Sequence, residues 1–176
     1  VKYGKDIIER RSRFIKELGS ITAGIHLSLT GGREKLVLEY EPNVLPEAFH
    51  EELEKGLERD IRYKISCVGP HRDDFSFVVN GVDIRKYGSQ GQQRTAALSL
   101  KLSEIELVKK VTGDNPVLLL DDVLSELDSN RQNYLLNNIG NIQTIITCTG
   151  LDEFINNRFS IDKIFKVTNG RIESEN

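Results

Sequence analysis

Tyr87-Gly88-Ser89-Gln90-Gly91-Gln92-Gln93-Arg94-Thr95, then Val117-Leu118-Leu119-Leu120-Asp121-Asp122, then Ser125-Glu126-Leu127-Asp128: these three stretches, in this order, decide how the chain is read. The first opens a helix expected over 92–110, rich in Ala and Leu and closed by Gly113-Asp114-Asn115-Pro116. Ser89 and Gln92 stand at the spacing of a capping box, an ordinary helix start. The same start aims backbone N–H groups and the positive end of the helix dipole outward, which suits a phosphate. Gly91 lets the backbone approach closely, Ser89 offers a hydroxyl and Arg94 adds fixed charge. The second stretch is an apolar strand that delivers two carboxylates to its carboxyl end. Asp121 there suits a Mg²⁺ ion held through water, and Asp122 suits a water-positioning or general-base role; a strand end capped by acids is the plainer reading. Asp128 can cap a helix over 129–139, ended by Gly140.

Working outward, residues 5–29 carry Ile8, Ile15, Leu18, Thr22, Ile25 and Leu29 on one stripe, which predicts a long amphipathic helix ended by Gly31-Gly32. Lys35–Tyr40 alternates as a strand. Pro46 opens a second helix whose Phe49, Leu53, Leu57 and Ile61 form a core-facing row. A compositional change at Tyr63–Cys67 marks the expected domain boundary near residue 62. Phe75–Val79 and Val82–Ile84 read as a hairpin around Asn80-Gly81, a pair that accepts positive φ. Val117–Leu120 and Gln143–Cys148 read as parallel strands of a sheet covered on both faces. A short helix is expected over 151–157, and a hairpin over Lys163–Ile172 turns at Asn169-Gly170.

Composition narrows the function classes. The 176 residues suit one domain or one and a part, and a net charge of −3 argues against a wholesale polyanion binder. Charge is uneven, however: residues 1–16 hold six Lys/Arg against two Asp/Glu. Arg10, Arg11, Arg13 and Lys16 are therefore candidate DNA-phosphate contacts on what is otherwise a solvated helix face. Cys67 and Cys148 are expected to be reduced core thiols in a cytoplasmic protein. No run of about 18 apolar residues occurs, so no membrane partner is expected. The chain begins with valine and contains no methionine, so an amino-terminal part is expected elsewhere.

Together the three stretches resemble the carboxyl-terminal part of an ABC-type ATPase head. More narrowly, with Gly69-Pro70-His71-Arg72-Asp73-Asp74-Phe75 added, the chain resembles the RecF family of bacterial recombination proteins within the ABC/SMC-type ATPases. The likeness is sharp over 63–151 and positional over 1–62. It implies an α/β fold of the P-loop NTPase kind with a mainly parallel sheet. Residues 1–62 would end a helical arm, and 63–176 would be the carboxyl-terminal head subdomain. The Walker A loop that binds ATP would lie on absent sequence. Ser89, Gln90, Gly91 and Gln92 would form the signature that meets the γ-phosphate held by a second protomer. Asp121 and Asp122 would take the Walker B positions, with Ser125 and Asp128 in the D-loop. The implied activity is a slow ATPase in an ATP-dependent homodimer that clamps DNA at junctions or gaps and, with RecR and RecO, loads RecA. The fragment alone is expected to be inactive.

Two departures from the general ABC pattern point to slow turnover. Asp122 stands where a longer glutamate is usual, and Thr147-Cys148-Thr149-Gly150 lacks the switch histidine. Other candidates are weaker. His71 reads as a turn histidine. Asp73 and Asp74 would join Asp121 and Asp122 only in a metal-dependent nuclease centre, which leaves Ser89–Arg94 unexplained. His26 and His50 have no second ligand at metal spacing and are assigned nothing. The alternatives are an SMC-type head and a non-catalytic module that docks a partner such as RecR.

Overall fold

A computed structural model of the chain describes residues 1–124, 127–148 and 161–175. Two compact units emerge, Val1–Pro116 and Val117–Asn176. The boundary expected near residue 62 thus falls inside the first unit. The reason is visible in the packing, because the first helix and the strand after it share one core with the elements beyond residue 74.

In the first unit, α1 (Lys2–Leu29) leads into β1 (Leu36–Glu41), α2 (Phe49–Tyr63), β2 (Asp74–Val79), β3 (Val82–Asp83), the single-turn α3 (Ile84–Tyr87) and α4 (Gln90–Thr112). The three strands form an antiparallel sheet in the order β1-β2-β3, with Leu36 opposite Val79 and Glu41 opposite Asp74. The hairpin turn lies at Asn80-Gly81, both at positive φ, as the sequence predicts. Asn80 also reaches backward, its Oδ1 accepting from the Lys35 amide at 3.0 Å. Leu18, Leu36, Leu38, Val79, Ile84, Ala96 and Leu107 close the main core, with Phe75 and Phe77 stacked against it. A satellite cluster of Ile8, Val44 and Phe49 seats the start of α2.

Helices α1 and α4 pack along their length, and beside the apolar contacts of Leu18 with the core their seam carries a row of polar pairs. Lys110 pairs with Glu17 at 2.6 Å, Thr22 Oγ1 lies 2.8 Å from Ser103 Oγ, and His26 Nδ1 lies 3.1 Å from Ser99 Oγ. As one number rises the other falls, so the helices run antiparallel. Thr22, His26, Ser99 and Ser103 are all fully buried. Their cost is small because the hydroxyls also reach carbonyls of their own helices, Ser99 donating to Thr95 O and Ser103 to Leu100 O. Hydrophobic periodicity alone placed Ile25 on the inner stripe; the seat belongs to His26.

The second helix departs from expectation. Only Phe49 of its apolar row is buried, while Leu57 and Ile61 are 57 % and 68 % exposed. Tyr63–Cys67 holds the helix end and an irregular loop, with Lys64 left-handed at the C-cap. Here a four-residue spacing signalled a helix correctly but not what covers it.

The second unit contains β4 (Leu118–Asp121), α5 (Ser129–Asn138), β5 (Thr144–Thr147), β6 (Ile164–Thr168) and β7 (Arg171–Glu175). Strands β4 and β5 pair in parallel, with Asp121 opposite Thr147. That is the parallel pairing the α/β reading requires. The other two sheets are antiparallel, β6 and β7 forming the hairpin at Asn169-Gly170. Two strands cannot cover both their faces, so Leu119 is 69 % and Ile145 55 % exposed. Leu120, Leu124, Leu135, Leu136, Ile139 and Ile142 are buried. Neither cysteine is in a disulfide among the described residues; Cys148 is exposed just after β5 and Cys67 half-buried in a loop, so neither is a core thiol. The helix expected over 151–157, together with Ser125, Thr149 and Gly150, lies outside the described residues.

Candidate functional site

Helix α4 begins as the sequence implies. Ser89 is its N-cap in an extended conformation, accepting from the Gln92 amide at 3.2 Å, while Gln92 Oε1 accepts from the Ser89 amide at 3.0 Å. Both halves of the capping box are therefore made. Gly113, left-handed, closes the other end. Over its 23 residues the peptide dipoles align toward the Ser89 turn. Ser89, Gln90, Gln93 and Arg94 are exposed there, and Gly91 and Gln92 half-buried.

The turn is held from two sides. Behind it, the Gly88 amide donates to Ile84 O at 3.0 Å, and Gln93 Nε2 donates to the same carbonyl at 2.9 Å. A β-carbon on Gly88 would lie 2.5 Å from Ile84 O and 2.8 Å from Ile84 Cα. That close approach explains why glycine stands at position 88. On the other side, Gln92 Nε2 donates to Glu34 Oε1 at 3.0 Å. Sequence reading missed Glu34, since an acid in a loop between helix and strand gives no periodic or motif signal.

In the second unit, Asp121 and Asp122 stand at the carboxyl end of β4, both exposed. The Thr147 hydroxyl from β5 donates to Asp121 Oδ1. The Asp122 amide is held by Thr147 O at 3.1 Å and lies 3.2 Å from Thr147 Oγ1. Asp122 has φ of +51°, a left-handed conformation that aspartate adopts more readily than branched residues. Left-handed backbone at a non-glycine residue costs energy and clusters at active sites and ligand clamps. The strand therefore turns at Asp122, and Thr147, in the stretch that lacks a switch histidine, is the side chain that fixes Asp121. Asp128 caps α5, accepting from the Arg131 amide at 3.0 Å and pairing with the Arg131 guanidinium.

The remaining candidates divide cleanly. Asp73 has a side chain only 2 % exposed and accepts from Arg11, the Tyr40 hydroxyl and the Asn43 amide. Burial and this carboxylate push the Tyr40 phenol well above its ordinary range. Asp74 is held below the usual carboxylate range by the Phe75 amide and Arg85. Both acids are thus engaged by neighbouring donors, and among the described residues no three His, Cys, Asp or Glu side chains gather as a metal site. Arg11 is likewise tied down, to Asp73 and Pro70 O. Arg10, Arg13 and Lys16 are exposed on a neighbouring stripe of α1. His71 is a turn histidine whose Nε2 donates to Ser66 O at 2.8 Å. No helix among the described residues is long and apolar enough to cross a membrane.

A capped helix start and a parallel strand ending in paired carboxylates are thus both present, within an α/β fold. No family model matches the chain. It is 62 % identical, over its whole length and 48 % of the relative's, to the DNA replication and repair protein RecF of Lachnospira eligens. It is 42 % identical to RecF of Clostridium perfringens, over 98 % of the chain and 49 % of the relative. A solved structure of the recombination mediator protein RecF with ATP, of the RecFOR pathway, superposes with a TM-score of 0.84 at 38 % identity, covering 99 % of this chain and 48 % of that one. The chain belongs to the RecF family, whose carboxyl-terminal part it matches. It spans about half the length of these relatives.

Proposed function

We propose that this chain supplies the signature, Walker B and D-loop portion of a RecF-type protein. The intact protein would be an ATP-dependent dimer that binds DNA junctions or gaps in repair and loads RecA with RecO and RecR. The observation that carries this is the buttressed turn at Ser89, on a chain whose structural neighbour is a RecF–ATP complex. In this reading residues 1–62 end the helical arm and 63–176 belong to the head.

The donors fit the groups they would meet. Amides of the first turn and the Ser89 hydroxyl are a phosphate-binding set, with Arg94 adding charge. Ser89 would hydrogen-bond the γ-phosphate seated on the other protomer and Gly91 would offer its N–H. Gln92 serves mainly to hold the turn, since its amide is already engaged on both sides. Asp121 is a hard oxygen donor of the kind Mg²⁺ takes through water. Thr147 fixes its orientation. Asp122 would orient the attacking water, and as the shorter acid it fits slow turnover. Ser125 and Asp128 would form the D-loop. Arg10, Arg13 and Lys16 remain candidate phosphate contacts to DNA, and Arg11 does not.

The test is ATP-driven dimerisation of the intact protein with and without Ser89→Arg. A bulky cation at the cap is expected to abolish dimerisation while ATP binding stays within about twofold. Unchanged dimerisation removes Ser89 from the γ-phosphate contact. The isolated chain is expected to turn over little or no ATP; turnover at the intact protein's rate refutes the division of labour. A second reading, a docking module for RecR, is favoured by the bare Leu57 and Ile61 on α2. Co-elution with RecR in the absence of ATP, lost on Leu57→Asp, supports it.

A further inference from the structure

The seam between α1 and α4 does not end where α1 does. Its polar rungs, Glu17–Lys110, Thr22–Ser103 and His26–Ser99, continue into one more contact, from Glu34 to Gln92. Glu34 is a two-sided group. Its Oε2 lies 3.1 Å from Nε2 of the fully buried His26, and its Oε1 accepts from Gln92 at 3.0 Å. His26 is thereby bridged between Ser99 in the middle of the signature helix and the carboxylate that holds its first turn.

The loop that carries Glu34 is itself pinned. The Thr30 hydroxyl donates to His26 O and accepts from the Glu34 amide. Arg33 Nε donates to Thr30 O at 2.9 Å, and Asn80 of the hairpin turn holds the Lys35 amide. Glu34 therefore has little freedom to leave Gln92. Gln92 in turn has one side-chain oxygen, and the Ser89 amide uses it. An unbroken chain of hydrogen bonds runs from the end of α1 through His26, Glu34 and Gln92 to Ser89.

We infer that Glu34, backed by His26, is a positioning residue for the signature turn: it fixes the Gln92 amide, and through the capping box it sets where Ser89 points. This rests on the reading of Ser89 as the γ-phosphate contact between protomers. The path also ties that contact to α1, so a displacement of the helix end reaches the signature through these side chains. Glu34 touches no nucleotide in this role and acts only through Gln92.

The experiment uses the intact protein and reads two quantities, binding of a fluorescent ATP analogue to the monomer and ATP-driven dimerisation by light scattering. Glu34→Ala is expected to weaken dimerisation about tenfold, the scale of one charge-assisted hydrogen bond, with analogue binding unchanged. Because that variant also strips His26 of its carboxylate, a swap gives an independent reading. Gln92→Glu keeps a capping-box acceptor but sets two carboxylates face to face, and is expected to weaken dimerisation by about tenfold or more. Adding Glu34→Gln restores a donor between positions 34 and 92 and is expected to recover most of the loss. A double variant no better than Gln92→Glu alone overturns the inference. So does Glu34→Ala without effect where Ser89→Arg abolishes dimerisation. If Ser89→Arg itself leaves dimerisation intact, the underlying reading of the signature fails instead.

Discussion

The two candidate sites of this chain are built in opposite ways. The Ser89 turn in the first unit is backed by α3, by a complete capping box and by a carboxylate from another loop. The Asp121–Asp122 corner in the second unit stands at the end of a two-stranded sheet, with left-handed backbone and Thr147 of the neighbouring strand on Asp121. The first site carries its support in its own unit. The second presents Leu119 and Ile145 to solvent, because two strands cannot cover both their own faces. The contrast teaches that the capped start of α4 is a self-contained element, whereas strand β4 depends on its neighbours in the sheet.

Substitutions that separate the units test this contrast most strongly. Asp73→Ala is expected to cost the first unit about 3 kcal/mol, because it leaves Arg11, Tyr40 and the Asn43 amide without their shared acceptor. Amide exchange should rise across α1 and β1 while β4 and β5 keep their protection. Equal loosening of both units would break the division between them.

Gly88→Ala comes next, at about 2 kcal/mol, since its β-carbon meets backbone and not the tip of a flexible side chain. Denaturant unfolding measures the loss, and in the intact protein ATP-driven dimerisation should fall with it. A neutral Gly88→Ala would mean that the turn is not pinned from behind.

Asp122 sharpens the other side of the comparison. Asp122→Ala is expected to destabilise β4 locally by about 1 kcal/mol, whereas Asp122→Gly is neutral within about 0.5 kcal/mol, because glycine accepts the left-handed φ. Exchange at the β4 and β5 amides reads this. Identical behaviour of the two variants would show that the corner holds no backbone strain.

The smallest effect is on acid stability. Asp60 is held low by the Cys67 amide, Asp74 by the Phe75 amide and Asp83 by Lys86, all in the first unit. Carboxyls with depressed folded pKa add stability that is full above their unfolded value, about 3.9, and is lost as pH falls through the folded one. The first unit should therefore loosen gradually below about pH 4, with circular dichroism of its long helices as the readout. Asp74 faces solvent while Asp60 and Asp83 are half-buried, so added salt should shrink the effect chiefly at Asp74. A first unit indifferent to pH between 4 and 2 would show that they contribute nothing.

Local chemistry made much of the molecule legible without coordinates. Helix α4 announced itself by Ser89 and Gln92 at one end and Gly113 at the other, both hairpins by Asn-Gly pairs, and β4 by an apolar run bounded by Pro116 and Asp121. Each signal depends on residues adjacent in sequence, where backbone sterics and capping act. Contacts between distant segments left no such trace. His26 was passed over because it has no metal-spaced partner, yet it is fully buried with Ser99 and Glu34 around it. Arg11 looked like its basic neighbours until Asp73 claimed it. Leu57 and Ile61 had the spacing of a core and lie open.

What the amino-acid order determined by itself was most of the elements, their approximate ends and the two chemical motifs, because capping, turn and alternation rules operate over a few residues; the short α3 went unread. Only the tertiary structure decided that α1 and α4 are joined by polar pairs beside their apolar core, that Glu34 reaches the Ser89 turn, and that Thr147 holds Asp121. Those pairings join residues far apart in the chain, and they are set by which helix faces and sheet edges come together when the core closes.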